Sequence, residues 1–547
     1  MKAARNSRFD WLTPIKAGLL GGVVAVYLSL VGIVEASSKR QIIEGVISMG
    51  QVLLLMAYVF AVAMALRPPA ARKGARLPVR WAILSGALAG LLTSALLAAL
   101  VLVGQVVNLR AVFIHASPEL YDLLTLGLGI PAGIFALLGV GIIIGVAFAG
   151  IFSLPKQFRW AILLGLFAIP AVAVLYTALF AGRGLSIPAA VVIFLVAGLA
   201  TYLWIGYQPK VRQQVKALPP KRQQSLTAAA LVVGVVFVLL LPRLGSYPSE
   251  VMTLAFIFGI LMGLGLNIVV GFAGLLDLGY VAFFAIGAYA MGILTSPEIQ
   301  WLPFRLTFWE ALPLAIFGAV LAGIILGIPV LQMRGDYLAI VTLGFGEIVR
   351  LLALSDWLKP YIGGSNGITL IPKPTLGPIT IDTPAEFFYI LLAGIAITAF
   401  IAVRLKASRL GRNWMAIRED EDVAQAMGIT LVNSKLMAFA TGAGFAGLSG
   451  AIFASKLGSI YPHSFNILVS INVLAVIIVG GMGSIPGVVV GALVLIGLPE
   501  LLREFAEYRL LLFGAALVLM MLFRPEGLWP EARRRLELHE TSPDVAE

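Results

Sequence analysis

Asp277 stands in the apolar run GFAGLLDLG (residues 271–279), where a carboxylate is costly to bury unpaired and so is a candidate functional residue. The preferred reading is a cap for the helix that follows, because first-turn N–H groups have no partner of their own. Glu347 and Arg350, spaced i,i+3, share one helical face and can neutralise each other in a low dielectric. They read as a structural intramembrane ion pair, since a proton relay needs further titratable groups along its path and few stand nearby. The densest charge in the second half of the chain is RLKASRLGRNWMAIREDEDVAQAMGITLVNSK (residues 404–435), with six Lys/Arg beside Glu419, Asp420, Glu421 and Asp422. This run is too polar to enter lipid.

Other chemistries find no residues to carry them. The chain has no cysteine, and its three histidines, His115, His463 and His539, are scattered, so neither a thiol nucleophile nor a metal site is expected. None of the 13 lysines follows a glycine, which removes the G-x-x-x-x-G-K-[ST] phosphate loop. There is no HExxH and no nucleophile–base arrangement. The expectation is a non-enzyme with no catalytic residue and no cofactor of its own; any ATP must be bound by a partner subunit.

The elements that hold these residues are membrane helices. Sixty per cent of the residues are hydrophobic and 12% charged, with a mean hydropathy of +0.99, which describes a polytopic helical membrane protein. Spans are expected at 17–34, 45–66, 81–107, 130–152, 160–180 and 189–206, and then at 227–241, 251–269, 280–294, 311–331, 337–354, 387–403, 436–454, 467–479, 488–502 and 510–523, about sixteen in all. The first is longer than a signal-peptide core and reads as a retained helix. Residues 1–226 hold 20 Lys/Arg against 5 Asp/Glu, and 16 of the 20 lie in the tail, 67–80, 153–159 and the linker 207–226. Such alternation orients helices and does not suggest nucleic acid; it puts both termini and the run 404–435 in the cytoplasm. The Pro- and Gly-rich loop 355–386 then faces outward, too broken for a helix.

Glycine interrupts two apolar runs, at 271–279 and at GGMGSIPG (residues 480–487), and NIVVGFAG is weakly like AVIIVGGMG. Broken helices at membrane depth mark a translocation path or hinge when they recur in two halves, which singles out Asn267, Gly271, Gly274, Asp277, Gly279, Gly480, Gly481 and Gly483. Close helix packing through glycine is the competing use. Residues 413–427 form one short helix outside the membrane, with Gly428 as its C-terminal cap and Ala416, Ala424 and Ala426 small enough for close docking.

Residues 227–530 resemble the LivM family, the inner-membrane permeases of branched-chain amino acid ABC importers. The likeness rests on LGLNIVVGFAGLLDLGYVAFFAIGAYA (264–290), RGDYLAIVTLGFGEIVRL (334–351), GGSNGI (363–368), GRNWMAIREDEDVAQAMGI (411–429), GGMGSIPG and FRPEGLWP (523–530), in that order. It implies that 411–429 is the element that couples to ATPase subunits, through Arg412, Ala416, Ile417, Arg418, the acids 419–422, Ala424 and Gly428. It also implies a second permease of LivH type or a second copy, two ATPase subunits of LivG and LivF type, and an extracytoplasmic binding protein, in the plasma (inner) membrane. Residues 1–226 form an extension of about six spans outside the likeness, and 531–547 a cytoplasmic tail. Urea and other amide importers share the motifs, so branched-chain amino acids are the leading substrate. The rival classes are a carrier or channel driven by an ion gradient, with Asp277 or Glu347 as its coupling acid, and an integral membrane enzyme using the acids 419–422.

Overall fold

The structure is a computed structural model of the chain and describes residues 11–66, 78–180, 184–217, 238–244, 246–330, 335–377, 379–497 and 526–530, with isolated residues between these stretches. Helix dominates because a helix satisfies its own backbone groups, as lipid requires. Among the described residues the strands are two short hairpins, Gln41–Ile43 with Ile47–Ser48 and Thr375–Leu376 with Ile379–Thr380. Among the described residues eleven helices are long and apolar enough to cross a membrane, and three shorter apolar helices, Met49–Ala65, Val281–Thr295 and Ile485–Gly497, accompany them. Each matches one of the expected spans; the two left over, 227–241 and 510–523, fall largely outside the described residues.

The chain divides into two compact units, Met1–Ala230 and Leu231–Glu547. The first holds α1 (Leu12–Leu30), α2 (Met49–Ala65), α3 (Val79–Val106), α4 (Ala132–Ser153), α5 (Lys156–Phe180) and α6 (Ile187–Ala217). Small residues bring α3 and α4 together so closely that a methyl group on Gly90 would collide with the Gly141 carbonyl. Buried hydroxyls tie the cluster: Tyr58 shares a 2.7 Å hydrogen bond with Ser94, and Thr93 donates to the Gly18 carbonyl at 3.2 Å. Helices α5 and α6 pack chiefly on each other, and only 17% and 6% of their apolar segments are buried.

The second unit contains α7 (Ser249–Phe272), α8 (Val281–Thr295), α9 (Phe308–Val330), α10 (Asp336–Leu354), α11 (Pro384–Ala407), α12 (Arg409–Glu419), α13 (Glu421–Ala426), α14 (Leu431–Leu457), α15 (Ile467–Gly480) and α16 (Ile485–Gly497). Its centre is α7 and α14, whose apolar segments are 89% and 78% buried. Helix α7 widens into π turns at Ala255–Leu261 and Asn267–Phe272. At one end the loops 296–307, 355–383 and 458–466 meet: Ile368 and Ile460 exchange backbone hydrogen bonds of 3.0 and 2.9 Å, and Glu298 accepts from the Thr369 amide at 2.8 Å. The loop expected over 355–386 is shorter than that. Thr383 and Glu386 form a capping box that starts α11 at Pro384, and Lys359–Ile362 makes one helical turn.

Candidate functional site

The loop helices are built from a few inward anchors. Ser408 accepts from the Gly411 amide at 3.3 Å and caps α12. Trp414 and Ile417, one turn apart, face inward; Trp414 is fully buried and donates its indole N–H to the Ser434 carbonyl of α14 at 2.7 Å. The single helix expected over 413–427 is in fact two. Asp420, with extended backbone (φ −159°), accepts from the amides of Asp422 and Val423 at 2.9 and 3.0 Å and so ends α12 and caps α13.

Three of the four acids have separate tasks. Glu419 pairs with Arg418 at 3.1 Å, Asp420 is occupied as a cap, and Glu421 pairs at 2.8 Å with Lys435, whose side chain is only 4% exposed. Ala424, expected to face a docking partner, is buried within the chain, while Val423 and Met427 of the same turn point outward at 59% and 79% exposure. Ala416 is half-buried, and Arg412 is exposed and donates to the Ala407 carbonyl at 3.1 Å. Gly428 adopts φ +86°, and the amide of Ile429 returns to the Ala424 carbonyl at 3.1 Å, closing the C-terminus of α13.

Both glycine breaks lie at this end of the unit, not halfway across it. Helix α7 is 24 residues long, enough to span, so residues 273–280 follow a completed crossing. Helices α8 and α15 have 15 and 14 residues. At about 1.5 Å per residue they are only about 21–23 Å long, shorter than a hydrocarbon core of about 30 Å.

The two breaks are packed against each other and held by the loop helices. The Gly483 amide donates to Asn267 Oδ1 at 2.9 Å, and a methyl group on Gly271 would come within 2.7 Å of the same amide nitrogen. Arg418 donates Nη1–H to the Gly271 carbonyl at 2.7 Å, and its alkyl stem lies against Gly274, which has φ +73°. Lys406, in the last turn of α11, donates to the Gly483 carbonyl at 2.9 Å and sits 5.3 Å from the centre of the Phe272 ring. Leu528 and Trp529 donate their amides to the carbonyls of Val479 and Gly480 at 2.8 and 2.9 Å, so the end of FRPEGLWP closes over the second break. Every quoted motif except GGSNGI meets here; GGSNGI belongs to the opposite end, through Ile368.

Asp277 is fully buried and accepts from the Gly279 amide at 2.9 Å, capping the turn before α8. The first amide of α8 itself, on Val281, is met from far along the chain by Ser470 of α15 at 2.9 Å. Thr342 of α10 accepts from the Leu278 amide at 3.1 Å, so α10 also seats the break. Asp277 Oδ2 and Asn267 Nδ2 are buried without a hydrogen-bond partner, the kind of unmet demand that a rearrangement can satisfy. Gly271, Gly279, Gly480, Gly481 and Gly483 are buried, and Gly274 is exposed.

Glu347 and Arg350 form their pair on a part-exposed face of α10, with Arg350 Nε 3.1 and 3.0 Å from the two carboxylate oxygens. Lys406, Ser470 and Lys435 were not singled out by sequence. Trp414 with Ile417 was the legible signal, an apolar pair one turn apart inside a charged run.

Comparison with known proteins adds relatives to this geometry. The family described as branched-chain amino acid transport system / permease component matches residues 247–521. The high-affinity branched-chain amino acid transport system permease protein LivM of Salmonella typhimurium is 42% identical over 340 residues, 58% of this chain and 77% of the relative. LivM of Escherichia coli (strain K12) is similar to the same extent. The permease protein LivH of the Salmonella typhimurium system is 24% identical over 291 residues, 49% of this chain and 90% of the relative. No solved structure matches the chain.

Proposed function

This chain belongs to the branched-chain amino acid transport system permease family, and on that premise we propose that it is the membrane-spanning subunit of an ATP-driven importer of branched-chain amino acids. It takes substrate from an extracytoplasmic binding protein at the end formed by the loops 355–383 and 458–466. It pairs with a second permease of LivH type or with a second copy, and two separate ATPase subunits dock on α12 and α13. Both termini lie in the cytoplasm, as the basic loops favour.

One observation carries the coupling assignment: Arg418, on the loop helix, hydrogen-bonds the backbone of the first glycine break at Gly271. A helix pushed by an ATPase is thereby linked to the start of α8, and through Asn267 and Gly483 to the start of α16. The outward Val423 and Met427 give a partner an apolar surface to grip. The breaks then act as hinges between stiff helices, and the two unmet polar atoms, Asp277 Oδ2 and Asn267 Nδ2, gain partners in the other state.

The test is leucine uptake into proteoliposomes holding this chain with a LivH-type permease and the two ATPases. Uptake should require ATP inside and loaded binding protein outside. Uptake by this chain alone, driven by an ion gradient without ATP, would overturn the reading.

A further inference from the structure

The amino-terminal unit lies outside the family match, and its most lipid-exposed helices enclose a groove. On α5 the series Lys156, Trp160 and Leu164 is spaced i, i+4, i+8, and on α6 Thr201, Trp204 and Gln208 share one face. Between these two stripes is an open groove of about 600 Å³. The two antiparallel helices are held side by side there by ring packing of Phe158 on Tyr202, centroids 5.1 Å apart.

The groove is graded along its length. At the end of the unit that carries the basic loops stand Lys156 and Gln208, one turn further in come Trp160 and Trp204, and beyond them Leu164 and Thr201. The two tryptophans are 41% and 68% exposed, although tryptophan is an interfacial residue with a large surface to bury. No Asp or Glu occurs between Asp122 and Glu250. Charge, then aromatic rings, then aliphatic wall is the order of a phospholipid read from headgroup to chain, and the wholly positive surroundings select an anionic headgroup.

We propose that this groove holds one anionic phospholipid of the leaflet at the basic end, its phosphate against Lys156 and Gln208, and an acyl chain between Trp160 and Trp204. The site gives the extension a task of its own, fixing the unit to acidic lipid. It differs from the surrounding annulus in being selective for charge and limited to one molecule.

The experiment uses the full chain in neutral detergent, titrated with phosphatidylglycerol or phosphatidylcholine, with bound lipids counted by native mass spectrometry. One copy of phosphatidylglycerol should be retained in preference to phosphatidylcholine. Lys156→Glu should weaken it by well over about fivefold, the effect of one positive charge near a lipid surface. Trp204→Ala, which leaves charge untouched, should shorten retention of long-chain lipid more than of short-chain lipid. Lys39→Glu, on the link between α1 and α2, should leave the count unchanged. Equal retention of the two lipids, or an undiminished anionic lipid in both Lys156→Glu and Trp204→Ala, overturns the proposal. So does equal competition by acyl-free glycerophosphoglycerol, which would mark a site for soluble anions.

Discussion

Replacing Arg418 by alanine should separate ATP hydrolysis from transport. The guanidinium donates to the Gly271 carbonyl at 2.7 Å from a side chain only 24% exposed. A charged hydrogen bond of this kind contributes about 1.5–3 kcal/mol, whereas the neighbouring pair with Glu419, itself 60% exposed, contributes at most about 1 kcal/mol. Loss of the first should therefore dominate and raise the population of chains whose break is detached from the loop helix by about 10- to 150-fold. Trp414 and Ile417 still seat α12, so the ATPase subunits should remain bound. The assay is leucine uptake and ATP hydrolysis measured together on the assembled importer, expressed as molecules moved per ATP. That ratio should fall at least severalfold in Arg418→Ala. Lysine should restore it in part, since it keeps the charge without the guanidinium's fixed geometry. An unchanged ratio in a fully assembled Arg418→Ala complex would refute the linkage.

Trp414→Ala should cost about 3–5 kcal/mol locally by emptying a buried site, and should release the ATPase subunits on copurification; Trp414→Phe, losing chiefly the bond to Ser434, should retain most of them. Glu421→Ala should lower the thermal midpoint more than Lys435→Met, because the first strands a buried ammonium, at about 3 kcal/mol, while the second removes it and leaves the more exposed Glu421 to water. Gly274→Ala should reduce uptake without loss of assembly: its φ of +73° costs a side chain about 1 kcal/mol or more, and the added methyl would press on Arg418 Cγ at 2.6 Å.

The membrane helices were legible because apolar length is a strong local signal: where 20 residues cannot leave lipid, little else can form. The end of α12 was legible in principle, since an aspartate followed by Glu421 and Asp422 is a helix start. It was missed because the residues on both sides favour helix and propensity alone cannot place a break. Which face of α13 points inward was not written locally: Ala424 and Ala426 look alike, and only the former meets a neighbour. The contacts that make the site span long separations. Arg418 reaches 147 residues back to Gly271, and Ser470 reaches 189 back to Val281. A glycine marks that something comes close but does not say what, so the breaks were visible while their pairing was not.

The π turns of α7 bear on how such a site is reset. A π turn holds one residue more than an α turn, so returning one to α geometry advances everything beyond it by a residue, about 1.5 Å along the axis and about 100° around it. Asn267 opens the second of these turns, and the first ends six residues before it, at Leu261. A change of register at Ala255–Leu261 would therefore swing the amide of Asn267 off Gly483 as a discrete click, in a helix whose ends need hardly move. In a unit this closely packed, winding number is a cheaper variable than position.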